Sequence, residues 1–250
     1  MTTVVEELVT KLRTLAQRRS EVVQLFSGFS DSELDAFPVP VAEPERSLLR
    51  QVGGLLVEGE YFGPGHERRE LDEPPRWDGA VGGESDTGPK GSALQLYMAR
   101  GSGDHYFVDI DRETGHWGPI LGSSPDFDAT LALQARSLVD WWTALAAGID
   151  ATPADEDYEF DDVLDNENPH LATALYPWDH RHSEAKPVPC SDLVADLNPE
   201  ERQYFTDLPA GALAIDLAAV TPPALLDVRV SEKYERRGNG RFLLITEPER

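Results

Sequence analysis

One cysteine, Cys190, and two methionines are all the sulfur this 250-residue chain contains. No disulfide can form within it, which excludes a stapled secreted scaffold and points to a reducing compartment. Lysine is almost as scarce, four residues against 18 arginines, a bias expected of a GC-rich bacterial coding sequence. Cations are outnumbered altogether, 22 Lys and Arg against 46 Asp and Glu, for a formal charge of −24. A field of that sign repels nucleic acid and anionic membranes and attracts basic partners. No uncharged apolar run approaches membrane-spanning length. The opening "MTTVVEELVTKLRTLAQRR" carries glutamates inside its apolar pattern and lacks the basic lead of a secretory leader. Together these absences predict a soluble, cytoplasmic protein.

What is present reads as helices and strands in alternation. Val5, Leu8, Val9, Leu12 and Leu15 form one stripe, predicting a helix over 3–26 with Thr3 and Glu6 as its capping box. Ser30 and Glu33 make a second capping box before a short turn that Pro38 and Pro40 end. Pro44 opens a further helix bearing Leu48, Leu49 and Val52, with Gly53 placed where a left-handed cap belongs. Segment 63–92, dense in Gly, Pro and charge, reads as an exposed loop with room for one short strand. "ALQLYMA", "HYFVDI" and "HWGPIL" are then joined by two short Gly-containing connectors, predicting an antiparallel meander. Ser124, Pro125 and Asp126 look like a helix start, and Phe127, Leu131, Ala135, Leu138, Trp142 and Leu145 continue its apolar stripe to Gly148. Later, Asn198-Pro199 with Glu201 predicts a short helix, and "ALAIDL", "LLDVRV" and "RFLLIT" predict strands, the last after a "GNG" turn.

Several motifs fall short of chemistry. "GESDTGPKGS" imitates a phosphate loop, but Pro89 intrudes and removes a backbone N–H that the cradle needs. Gly53-Gly54 follows a helix instead of opening one, so it is no phosphate cradle either. "DIDRETG" places Asp109, Asp111 and Glu113 like a calcium loop, yet its glycine comes one position late and Ile120 stands at the twelfth. "WDHRH" offers His180 and His182 beside Asp179, with Cys190 downstream. Such a set could hold zinc in a metal-dependent enzyme, or form a solvated loop between Pro177 and Pro187. Cys190 has no ordered base near it in sequence to make it a nucleophile.

Residues 150–167 hold nine acids and no base. They read as a solvated linker, as carboxylates for a metal-dependent hydrolase, or as a contact surface for a basic protein. On the last reading Tyr158 and Phe160 supply aromatic anchors among Asp155, Glu156, Asp157, Glu159, Asp161 and Asp162.

Taken in order, "PVPVAEPERSLLRQVGGL", "HYFVDIDRETGHWGPIL" and "ARSLVDWWTAL" resemble the SUKH superfamily, which includes the yeast cell-wall-assembly regulator and many bacterial immunity proteins. The matching positions are Pro40, Pro44, Leu48, Leu49, Gly53, Gly54, Asp109, Gly118, Ser137, Leu138, Trp141 and Leu145, within roughly residues 30–148. The aromatic usual at the helix start is missing from "VAEPER", and 150–250 lies beyond the core pattern. The resemblance implies an α+β fold, a mixed and largely antiparallel sheet flanked by helices. It divides the chain into a core over 1–150, an acidic linker or contact segment over 151–167, and a C-terminal α+β extension over 168–250. It also implies a non-enzymatic binding protein with no cofactor, neutralising a toxin domain, or alternatively a regulatory scaffold without a toxin partner.

Overall fold

The computed structural model describes residues 2–57, 60–64, 81–82, 93–101, 104–111, 115–123, 130–151, 183–229, 233–238 and 240–247. The fold is α+β. Helix α1 (Thr2–Arg18) leads into β1 (Val23–Ser27), two short helices, α2 (Asp31–Asp35) and α3 (Glu45–Leu49), and then β2 (Val52–Val57) and β3 (Glu60–Phe62). The two-residue strand β4 (Val81–Gly82) precedes the meander β5 (Ala93–Gly101), β6 (Asp104–Asp111) and β7 (Trp117–Ser123), followed by β8 (Thr130–Ala135) and helix α4 (Leu138–Ala151). The C-terminal part contains β9 (Ser183–Ala185), β10 (Val188–Pro189), helices α5 (Cys190–Asp196) and α6 (Pro199–Arg202), β11 (Leu213–Asp216), β12 (Ala224–Arg229), β13 (Lys233–Arg237) and β14 (Phe242–Glu247).

Among the described residues these strands make two sheets. The larger runs β1-β2-β3-β5-β6-β7-β8-β12-β9, with β4 also on β5; the smaller runs β10-β11-β14-β13. Pairing is antiparallel throughout except between β12 and β9. The large sheet therefore takes strands from both sides of the acidic stretch: β12 hydrogen-bonds β8 from Ala224↔Leu133 onward.

Side-chain alternation sets the layers. On β6, Tyr106, Val108 and Ile110 face the helices and pack with Leu12, Trp141 and Leu145, whereas Phe107 faces the other way. Ile120 and Leu121 on β7 divide likewise. The second face meets the small sheet through Leu131, Leu133, Ile215, Leu243 and Ile245. The small sheet's outer side, Ala214 and Leu244, is covered by Cys190 and Leu193 of α5. The order is thus helices, large sheet, small sheet, helices, and each β-layer is apolar on both sides.

The predicted meander and the strands at 213–216, 224–229 and 242–247 are present. The capping box predicted at Ser30 and Glu33 forms, and the short helix predicted from Asn198 also starts with one. Glu33 N–H donates to Ser30 Oγ at 3.3 Å, and Glu201 N–H to Asn198 Oδ1 at 2.9 Å.

Three expectations are corrected. The helix over 3–26 stops at Arg18, because Val23 and Phe26 are drawn into β1 against β2. Gly53 is not a helix cap: Arg50 ends α3 in a right-handed conformation, and both glycines lie within β2. The helix expected from Ser124 starts only at Leu138 and passes Gly148 to Ala151. Its would-be first turns hold β8, since T-L-A-L-Q-A alternates at period two as well and gains ladder partners on both sides. The true cap is Ser137, whose Oγ accepts from Asp140 N–H at 3.1 Å. Residues 124–129 lie outside the described residues.

Candidate functional site

Where the small sheet lies over the end of β7 and β8, the layers do not close completely. They leave an open cleft of about 170 Å³. One wall is the entry to β7, where Trp117 is buried and His116 is exposed at the rim. Leu133 of β8 and Leu217, just after β11, add buried apolar surface. The turn before β14 forms the far wall. It approaches closely because residue 240 is glycine in a left-handed conformation (φ 82°), and a Cβ there would lie 3.0 Å from Pro119 Cδ.

Among the described residues two arginines line this cleft, and they are held differently. Arg241 donates from Nε and Nη2 to the Asp216 carboxylate at 3.0 and 2.7 Å, and from Nη1 to Glu201. Its guanidinium also lies 4.6 Å from the Phe242 ring centroid. The Asp216 hydrogen bonds, chief among these contacts, hold Arg241 firmly in its charged form. Arg136 instead donates from Nη2 to two carbonyl oxygens, Ala218 O and Val220 O, each at 3.1 Å. It ties the loop after β11 to the end of β8 without meeting a carboxylate, and its Nε and Nη1 have no acceptor among the described residues. Among the described residues no acidic side chain lines the cleft.

Elsewhere polar groups are engaged with one another. Arg46 reaches Asp31 and Asp35 at 2.8 and 2.7 Å, and Arg50 reaches Asp31 at 2.6 Å. Arg18 bridges α1 to α4 through Asp150 at 2.6 Å. Hydrogen bonds from Arg50 and Arg46 hold the Asp31 carboxyl below its ordinary range. Glu45, at the start of α3, is shifted the other way. It is only 4% exposed, and burial, with the like charge of Glu43 adding to it, pushes its carboxyl up to about 7.

The sequence-predicted candidates distribute unevenly. Asp155, Glu156, Asp157, Tyr158, Glu159, Phe160, Asp161 and Asp162, along with His180 and His182, lie outside the described residues. Cys190 is buried under the small sheet, and burial pushes its thiol up, away from the reactive thiolate. Among the described residues no group of three or more His, Cys, Asp or Glu is placed to hold a metal ion. No helix among them is long and apolar enough to cross a membrane.

Arg136 and Arg241 were not singled out by sequence reasoning. Arg136 fell inside an expected helix, and Arg241 followed a turn signal that carried no hint of Asp216. Comparison with protein-family models, curated proteins and solved structures returns no match.

Proposed function

We propose that the chain is a non-enzymatic acidic binding protein of the immunity type, whose partner is a basic toxin domain. The observation that carries this reading is the charge of −24, of which the 150–167 segment contributes nine acids and no base. The treatment of cations in the described fold supports it. Arg18, Arg46, Arg50, Arg237 and Arg241 are all taken up by neighbouring carboxylates. Asp192, Asp196, Glu200 and Asp207 stay exposed on or beside the outer helices. Opposite fields speed encounter with a cationic surface, and Tyr158 and Phe160 supply the kind of aromatic anchor that slows release.

The test is binding to the purified product of the adjacent gene across a salt series, alongside co-expression to score protection from toxicity. Binding should weaken steeply with ionic strength, because exposed charges are screened within about 10 Å at 0.1 M salt. Reversing Asp155, Glu156, Asp157, Asp161 and Asp162 to Lys should abolish it. Salt-independent association, or full binding by the reversed variant, overturns the reading. A regulatory scaffold would instead show no protection and an isolated gene.

A further inference from the structure

The immunity-type reading makes no use of the cleft between the two sheets. We propose that this cleft is a binding site for a small organic carboxylate carrying one flat apolar ring. Its size fits that class: about 170 Å³ is close to an apolar cavity of about 150 Å³ that accepts benzene, and below the roughly 300 Å³ at which drug-sized pockets begin. Behind its lining lie the apolar side chains of Trp117, Leu133 and Leu217, nearly buried. The Trp117 indole N–H is already spent on Pro40 O at 3.0 Å, so the ring offers the cleft an apolar surface.

The polar requirement falls on Arg136. Arg241 has all three guanidinium nitrogens engaged by Asp216 and Glu201, so it contributes stacking surface and little unshared charge. Arg136 is fixed in place by two backbone carbonyls and retains N–H donors on Nε and Nη1. A preorganised guanidinium with no carboxylate partner among the described residues, in a chain this acidic, is suited to an anion brought from outside. One unshared cation matches a monoanion better than a phosphate dianion.

The experiment is isothermal titration of the full-length protein with benzoate at low salt, with benzyl alcohol and inorganic phosphate as comparison ligands. Benzoate should bind with a dissociation constant in the millimolar range or tighter, and benzyl alcohol and phosphate about tenfold more weakly or worse. Ala218→Trp fills the cleft mouth from an exposed position and leaves the carbonyl that Arg136 uses intact. It should eliminate benzoate binding without changing thermal melting. Arg136→Gln should weaken benzoate about tenfold and so remove its preference over benzyl alcohol. Failure of benzoate to bind overturns the proposal, as does benzyl alcohol or phosphate binding equally well. Undiminished binding by Ala218→Trp would place the ligand elsewhere and overturn it too.

Discussion

Gly54 and Tyr61 compete for the same space: a Cβ on Gly54 would lie 2.5 Å from Tyr61 Cε2 and 2.9 Å from its hydroxyl. The ring cannot easily yield. Its hydroxyl donates to Gly53 O at 3.3 Å and Pro64 O at 3.1 Å, and it meets Phe26 edge-on at 5.1 Å. Gly53 is constrained by backbone, with a Cβ placed 2.3 Å from Ser27 O. The glycine pair therefore serves strand packing. Gly54→Ala should destabilise the protein by about 1–3 kcal/mol, the range for overpacking a well-filled core. Tyr61→Ala in the same chain should recover part of that loss, a non-additivity that urea unfolding of the single and double variants measures. Additive losses would show that the ring does not set the requirement.

Ser137 is the cap on which α4 depends. Its Oγ accepts from Asp140 N–H at 3.1 Å and donates to Asp140 Oδ2 at 2.8 Å, while its carbonyl accepts from Trp141 N–H at 3.0 Å. The helix that follows carries Trp141, Trp142 and Leu145 into the core, all fully buried. Ser137→Ala should cost about 1 kcal/mol, and Ser137→Asp, another good capping residue, should restore most of it. Equal melting temperatures for parent and Ser137→Ala would remove the cap from the account of α4.

The contrast between 124 and 137 shows what the sequence could and could not reveal. Local hydrogen-bond chemistry is written locally, so Ser30–Glu33 and Asn198–Glu201 were legible as helix starts. The period-two strands at 93–111 and 213–216 were legible for the same reason. Leu131–Ala135 satisfied both a helical and a strand pattern, and only its partners, β7 and β12, settle the choice. The partner β12 lies almost a hundred residues away, beyond any local signal. The cleft was hidden on the same grounds. Arg136 meets Ala218 and Arg241 meets Asp216 and Glu201 through tertiary packing that no spacing rule announces.

Arg241 joins α6 to the small sheet by reaching Glu201 on one side and Asp216 on the other. The Asp216 side chain is 13% exposed and that of Arg241 34%, so the pair is screened less than a surface bridge. Removing the cation would leave a largely buried carboxylate beside the cleft. Arg241→Met should therefore cost more than Asp216→Asn, which leaves Arg241 its bond to Glu201. A difference of about 1–2 kcal/mol in chemical denaturation is expected. If Asp216→Asn proved the more damaging, the carboxylate would be holding something other than this arginine, and its 3.0 Å bond to Ala218 N–H would be the first suspect.

Glu45 gives the fold an unusual pH dependence. Burial pushes its carboxyl up from the ordinary 4.5 to about 7, with Glu43 adding like charge, so the folded chain holds this proton more tightly than the unfolded chain does. Between those two values the folded state carries a proton that the unfolded state has released. Stability from this group is complete below the lower value, declines as pH rises through the window, and is gone above about 7. Paired carboxylates such as Asp31 and Asp150, lowered by their arginines, slope the other way, so parent and variant must be compared at each pH. Glu45→Gln keeps the shape and removes the titration. It should match the parent at acidic pH and exceed it at about pH 8 by an amount on the order of 3 kcal/mol at most. Urea unfolding of both proteins across that range reads the difference directly. An advantage of the same size at every pH would mean that Gln improves packing at this site, with no contribution from the charge of Glu45.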